Sequence, residues 1–467
     1  RGGISEAAGS AFALASGSWA AILSPGDVLS PHALAEVAFE IARVPDAELI
    51  YSDEDKIDET GRLRFDPHFK PGFSRELFRS QNYLSHLTVH RAANIRAVGG
   101  WRKGFEGSED YDLNLRIFER IDPARIRHIP KILYHARAAS GSPAAEAGRE
   151  SPAYEAGLRA LAEHVARTGL RASVEPAPQG PYYRLRPAVP EPQPLVSLII
   201  PTRDKVDLLR RCIGSIQART TYAPYEILVI DNGSTETETL AYLAAIAGEP
   251  RVRVLRYDKP FNFSAINNFG VGQAAGALVG LINNDIEVIS PDWLTEMVSW
   301  ATQPDVGCVG AKLYYPNDTI QHAGVVLGVG GIANHAHLHQ DRATFGYFGR
   351  AVVLNNYSAV TGACLLVRKS LFQEVGGLNE KDLAVAFNDV DFCLKVREAG
   401  YKNVWTPYAE MYHFESVSRG KDDNAEKRRR FDRETAYMLR TWRTALRSDP
   451  FYSPHLSIHL PDFSIPR

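Results

Sequence analysis

The stretch ALVGLINNDIE, residues 277–287, decides how the rest of this chain is read. Ala277 to Ile282 is a short apolar run, and it stops at Asn283-Asn284-Asp285. A buried strand with that ending delivers a carboxylate and two amides to the lip of a sheet. These are hard oxygen ligands of the kind Mg²⁺ and Mn²⁺ accept, often sharing the ion with substrate phosphates. Taken alone, Asn-Asn-Asp is a turn. The sequence on either side of it changes that reading.

Working outward, residues 195–420 alternate apolar strands with helical patterns. LVSLII (195–200), EILVI (226–230) and VRVLR (252–256) are expected strands, separated by helices over 206–216, 235–246 and 263–274. Such alternation predicts an α/β fold with a parallel sheet and helices on both faces. Each strand runs into polar residues: Thr202-Arg203-Asp204, Asp231-Asn232-Gly233-Ser234, Arg256-Tyr257-Asp258 and Asn283-Asn284-Asp285. Ligands of such sheets bind beyond the carboxyl ends of the strands, so four polar ends in register converge on one crevice. The first strand is followed by neither GxGxxG nor GxxxxGK[ST], which argues against a dinucleotide enzyme and a P-loop nucleotidase. Without a glycine cradle, phosphates need a metal, and Asp285 is its natural ligand.

Two later stretches carry chemistry. FNDVD (387–391) opens a helix that continues as FCLKV. Asp389 and Asp391 stand two apart and cannot both cap its start, so one is expected to point elsewhere, as a general base for a hydroxyl nucleophile. YHFES (412–416) follows an expected strand near 403–406. There His413 is a candidate to complete the metal shell, and Arg419 and Lys421 form a basic loop suited to a diphosphate.

Composition bounds the partners. The chain has 467 residues, 45% apolar and 23% charged, enough for two or three ordinary globular domains. A net charge of −2 supplies no global field to recruit nucleic acid. The four cysteines lack metal-ligand spacing and read as buried thiols of a reducing compartment, giving a cytoplasmic expectation. No apolar run is long enough to span a bilayer. Arg1 opens inside an apparent folded segment, so the chain is expected to be a piece of a longer protein.

VSLIIPTRD, EILVIDNGS, NFSAINNFG, LINNDIEVISPDWL, TGACLLVR, FNDVDFCLKVREAGY and YHFESVSRG occur in that order between 195 and 420. With this spacing the segment resembles family 2 glycosyltransferases of the GT-A fold, a nucleotide-diphospho-sugar transferase fold with a Rossmann-like, mostly parallel sheet. It looks like the bacterial, rhamnosyltransferase-like enzymes of surface-polysaccharide synthesis. The resemblance implies a UDP- or dTDP-linked sugar donor, a divalent metal (Mg²⁺ or Mn²⁺), a glycan or lipid-linked glycan acceptor, and inversion at the anomeric carbon. On the donor side it implies Pro201, Thr202, Asp204, Asp231, Asn232, Asn268, Asn284, Asp285 and Arg419. Asp285 and His413 are the implied metal contacts and Asp389 the catalytic base. Thr361, Gly362, Asn388 and Asp391 fall on the acceptor side. Two departures stand out: the family's DxD motif reads Asn283-Asn284-Asp285, and its Glu-Asp pair reads Asn388-Asp389.

Residues 1–140 read as a partial repeat. ISEAAGSAFALASGSWAAILSPGD aligns with FSAINNFGVGQAAGALVGLINND, Glu109-Asp110-Tyr111-Asp112 with Asn388-Asp389-Val390-Asp391, and Tyr134-His135 with Tyr412-His413. The unit resembles the later two-thirds of a GT-A domain without its nucleotide-binding start. Its metal-site positions read Ser24 and Gly26, with only Asp27 beside them, and without the base-binding strands no independent donor site is expected. Asp110 is a candidate base if a longer protein is bifunctional. The alternative to an enzyme, a non-catalytic sugar-binding or scaffold protein, is most credible here. Residues 141–194 are expected to be a helical connector with a proline-rich linker. Residues 421–467 form a helical tail whose Lys427-Arg428-Arg429-Arg430 run and Phe431, Met438, Leu439 and Trp442 allow peripheral membrane contact. His335, His337 and His339 share a side only if extended, a weak metal pattern beside the acceptor-loop role implied there.

Overall fold

A computed structural model describes residues 3–138, 148–414 and 425–466. The chain divides into two compact units, 1–187 with 450–456 and 465–467, and 188–449 with 457–464.

In the second unit the strands run, edge to edge, Val252–Arg256, Tyr225–Asp231, Val196–Thr202, Leu278–Ile282, Cys364–Arg368, Val306–Tyr314, Lys402–His413 and Ile286–Val288. The first four are parallel. Leu278–Ile282 is buried throughout, as a strand covered on both faces must be. The helix Phe263–Gln273 lies close on this sheet because residue 270 is glycine; a Cβ there would sit 2.5 Å from Ile199 Cγ2. Beyond Leu278–Ile282 the mostly parallel expectation gives way to a mixed sheet. Cys364–Arg368 is antiparallel to both its neighbours, while Val306–Tyr314 and Lys402–His413 are parallel. The first half is built from successive strand–helix–strand crossovers, the connection that parallel neighbours require.

The expected strand near 403–406 is in fact a twelve-residue strand, Lys402–His413, that includes His413. Its register against Val306–Tyr314 breaks between the Trp405 and Glu410 pairings. Such a bulge bends a strand. Its redirected end pairs with Ile286–Val288, placing Ile286 opposite His413. Asn283–Asp285 therefore joins a strand in the middle of the sheet to one at its rim, directly beside His413.

The first unit repeats this half-sheet. Its order is Trp19–Ala20, Thr88–Arg91, Leu49–Ile57, Ile126–Arg137 and Val28–Leu29. The second unit's order from Leu278–Ile282 to Ile286–Val288 has the same sequence of pairings: antiparallel, antiparallel, parallel, antiparallel. Arg64–His68 pairs with Leu49–Ile57 as Ile320–His322 pairs with Val306–Tyr314. Of the apolar segment Trp19-Ala20-Ala21-Ile22-Leu23, only Trp19–Ala20 is paired as a strand. The helix Pro152–Thr168 and the hairpin Ala172–Pro176 with Tyr183–Pro187, both within the span read as a connector, lie in this unit. The helix Ala425–Thr441 lies in the second unit.

Candidate active site

Asn283 starts the loop by donating its N–H to Ala363 O at 3.0 Å, and Phe414 N donates to Asp285 O at 2.9 Å. The Asp285 carboxylate is buried, and its Oδ1 lies 3.1 Å from His413 Nε2. Asn283 Nδ2 also lies 3.1 Å from that nitrogen. On the other side of the ring Gln321 Oε1 sits 2.5 Å from His413 Nδ1, while Gln321 Nε2 donates to His413 O at 3.4 Å. An amide oxygen that close accepts a proton from Nδ1 and leaves the Nε2 lone pair facing Asp285. Two electron-pair donors thus face each other across 3.1 Å. Adjacent ligands of an octahedral ion with bonds of about 2.1 Å lie about 3 Å apart, so these residues fit a divalent cation. Among the described residues no three His, Cys, Asp or Glu side chains gather as a closed metal cage. Two protein ligands leave positions for phosphate oxygens and water, the usual pattern for Mg²⁺.

The nucleoside-side candidates lie at the ends of neighbouring parallel strands. Pro201 pairs with Ile230 and Thr202 with Asp231. Asn284 Nδ2 donates to Thr202 Oγ1 at 3.1 Å, and Asn232 N donates to Thr202 O at 2.8 Å. Asn232 Nδ2 donates to Tyr257 O and Lys259 O, tying in the next strand end. Asp231 accepts from Ser234 N at 2.9 Å and from Arg256 Nη1 at 2.6 Å. Asp204 Oδ1 accepts from Glu236 N and Thr235 N, bonds that hold its carboxyl below the ordinary range. Asn268 stands apart. Its amide clasps Leu378 through Oδ1 and Nδ2, each at 2.9 Å, and so secures the 376–380 loop. Arg419 and Lys421 lie outside the described residues.

Asp389 is in the first turn of Asn388–Glu398, and the N-cap residue Phe387 contributes no side-chain cap. Asp389 Oδ2 accepts from Gly362 N and Oδ1 from Val390 N, each at 2.8 Å. Gly362 adjoins Ala363, whose carbonyl holds Asn283. One short segment, Thr361-Gly362-Ala363, therefore fixes the expected base and the metal loop together. The other two acceptor-side expectations turn inward instead. Asn388 donates to Val385 O at 2.8 Å, and Asp391, 1% exposed, accepts from Trp442 Nε1 at 2.8 Å. Gln321 and the Trp442 contact escaped sequence reasoning, and Arg256 was read only as part of a polar strand end, since nothing in TIQHAG or RYD marks those partners.

The matching positions of the first unit are occupied differently. Asp27 Oδ2 accepts from Tyr134 Oη at 2.5 Å and Oδ1 from Arg137 N at 2.8 Å. His135 Nδ1 lies 2.5 Å from Asp55 Oδ1, where His413 has Gln321. Asp110 accepts from Asn82 Nδ2 at 3.0 Å. The three histidines of HAHLH do not converge. His335 lies against His322, His337 stacks on Phe463 and His339 on Tyr315.

Residues 197–376 match the family model described as Glycosyl transferase family 2. Over 467 residues the chain is 52% identical to uncharacterized protein y4gI of Sinorhizobium fredii, covering 99% of this chain and 51% of that one. It is 40% identical over 469 residues to O-antigen biosynthesis protein RfbC of Myxococcus xanthus, covering 100% of this chain and 36% of the relative. The chain thus spans 51% and 36% of the lengths of these relatives. Among solved structures it is similar to GalNAc-T7 with UDP, GalNAc and Mn²⁺, at 15% identity and a TM-score of 0.46, over 66% of this chain and 60% of that one. The family match, the motif order and the strand order together make residues 197–376 a glycosyl transferase family 2 domain, within a second unit of GT-A fold, and the first unit carries a GT-A-like half-sheet.

Proposed function

We propose that the second unit is an inverting, divalent-metal-dependent glycosyltransferase. It moves a sugar from a UDP- or dTDP-linked donor to a hydroxyl of a glycan or lipid-linked glycan acceptor in cell-surface polysaccharide synthesis. One observation carries this reading: Asp389 and the Asp285–His413 pair are held by adjacent residues of a single segment, Gly362 and Ala363. The relation to an O-antigen biosynthesis protein supports the pathway class.

Asp285 and His413 would hold a divalent ion, which when bound offsets the charge of the donor's diphosphate. Asp389 takes the proton of the acceptor hydroxyl. The freed oxygen attacks the anomeric carbon from the face opposite the diphosphate. The bond from that carbon to the diphosphate oxygen breaks, and the nucleoside diphosphate leaves with the electron pair. Gly362 N and Val390 N orient the two Asp389 oxygens, each of which keeps a further lone pair to accept from the acceptor hydroxyl. Thr202, Asp204 and Asp231 are placed to receive the nucleoside, with Arg256 steadying Asp231.

The first unit is proposed to lack a donor site, because both oxygens of Asp27 are already taken within that unit. A packing or acceptor-guiding role remains for it. No helix among the described residues is long and apolar enough to cross a membrane. A peripheral contact through the tail helix would rest on its basic run with the exposed Phe431 and Leu439, since Met438 and Trp442 are buried.

Titration calorimetry of UDP and dTDP, with and without Mn²⁺, tests the proposal. One Mn²⁺-dependent site, lost in Asp285→Ala, is expected. Binding that ignores both the metal and Asp285 would refute the metal reading, and two sites would refute the reading of the first unit.

A further inference from the structure

The tail helix Ala425–Thr441 carries a face that the proposed chemistry has not used. Glu434, 2% exposed, accepts from Val385 N at 2.8 Å through Oε1 and from Ala386 N at 3.1 Å through Oε2. Those amides immediately precede Phe387, whose φ of 60° puts a non-glycine residue in the left-handed region. The Phe387 ring lies 5.5 Å from that of Phe431. Just past the helix, Trp442 Nε1 donates to Asp391 Oδ1 at 2.8 Å. Met438 is fully buried between these contacts. Positions 431, 434, 438 and 442 are spaced as one helical face. That face grips the chain on both sides of Asp389, at 385–387 and at 391.

We infer that this helix is a positioning element for the base, with Glu434 as a positioning residue that acts through Asp389. The inference rests on the proposed role of Asp389. A charged acceptor spanning two consecutive amides holds them harder than a neutral one, because charge-assisted hydrogen bonds are the stronger kind. It thereby keeps the left-handed turn at Phe387 that aims the first turn of Asn388–Glu398.

The first unit supplies an internal comparison. There too the strand ending in the Tyr-His region is followed in the chain by a helix, Pro152–Thr168. It packs on the start of the acidic helix Glu109–Phe118, where Ser108 Oγ donates to Ala153 O at 2.8 Å. No carboxylate from that helix meets the amides before Asp110. With Asp110 aligned to Asp389, Gly107 is the counterpart of Ala386, and its N–H is satisfied locally by Glu109 Oε2. The helix is common to both units, whereas the carboxylate clamp belongs to the unit whose metal loop is intact.

The test is a double-mutant cycle on acceptor-free hydrolysis of the Mn²⁺-loaded donor, either a UDP-linked or a dTDP-linked sugar, with water in place of the acceptor. Glu434→Gln keeps the size but turns an amide N–H toward one backbone N–H. It is expected to lower kcat about 10-fold or more with KM within about two-fold. In an Asp389→Asn background the same change is expected to cost less than about two-fold, because its route is already cut. Trp442→Phe keeps an aromatic ring of smaller size, loses the bond to Asp391, and is expected to show the same split with a smaller loss. It also serves if Glu434→Gln fails to fold. An undiminished cost of Glu434→Gln in the Asp389→Asn background overturns the inference, as does unchanged kcat in both single variants. If Asp389→Asn itself turns over normally, the base reading falls and the inference with it. If Asp389→Asn is impaired but the Glu434 and Trp442 variants are not, the positioning role alone is overturned.

Discussion

Removing the oxygen that orients His413 is expected to weaken metal binding without touching a metal ligand. In Gln321→Leu the Nδ1–H of a ring whose side chain is 8% exposed loses an acceptor now 2.5 Å away. An unpaired buried donor costs about 1–3 kcal/mol. The ring escapes that cost by moving its proton to Nε2, from which it can donate to Asp285 Oδ1, 3.1 Å away. That tautomer blocks both candidate ligands at once. Binding an ion must reverse it, so the same 1–3 kcal/mol returns as affinity about 5- to 150-fold weaker. Losses of about 10- to 100-fold are usual when an outer-shell partner of a metal histidine is removed. The assay is Mn²⁺ titration followed by electron paramagnetic resonance with UDP or dTDP present, beside a melting curve that reports folding. Gln321→Glu, which keeps an oxygen at the site, should bind Mn²⁺ nearer to the parent level. If Gln321→Leu bound Mn²⁺ within about two-fold of the parent while Asp285→Ala did not, the tautomer argument would be refuted.

Other outcomes follow from the same geometry. Asp389→Asn should lower turnover by about 10²-fold or more while nucleotide affinity holds; calorimetry alongside a product assay separates the two, and near-normal turnover rejects the base. Asp27→Asn should leave Mn²⁺-dependent nucleotide binding unchanged, since Tyr134 and Arg137 N already hold that carboxylate, and a lost binding event would show a second site. Burial, with Arg350 nearby, pushes the His337 imidazole down to about 3. The unfolded chain then binds the extra proton first, so stability is full above about pH 6.5 and is lost as pH falls toward 3. Near pH 5 that loss is about 2 kcal/mol, and His337→Phe should flatten this part of a melting-temperature profile.

How much of this was legible beforehand can be judged from particular residues. The apolar runs at 195–200, 226–230 and 277–282, with the strand expected over 252–256, announce a parallel sheet, because a strand covered on both faces needs side chains of one kind throughout. Where each run stops, Thr202, Asp231 and Asp285 mark the crevice, since the carboxyl ends of such strands share one edge. The repeat was readable as well. Asp110 and Tyr134-His135 keep the order and relative spacing of Asp389 and Tyr412-His413, and the strand order bears the repeat out. These are local properties, written in consecutive residues.

Partners were not legible. Asp389 and Asp391 are equivalent by position in the chain, yet Gly362 N takes one and Trp442 Nε1 the other. Asn268 sits in a family-like motif and spends its amide on Leu378, 110 residues away. Gln321 and Glu434 carry no motif at all, and their roles arise from contacts with His413 and Val385, 92 and 49 residues distant. The bulge in Lys402–His413 that brings His413 to Asp285 is a break in its pairing with Val306–Tyr314, a property of the pair that neither strand encodes alone. Sequence alone therefore determined the strands, their polar ends and the repeat, because burial and alternation act over neighbouring residues. Only the tertiary structure decided which partner holds each carboxylate, because a hydrogen bond is satisfied by whichever group the fold brings within reach.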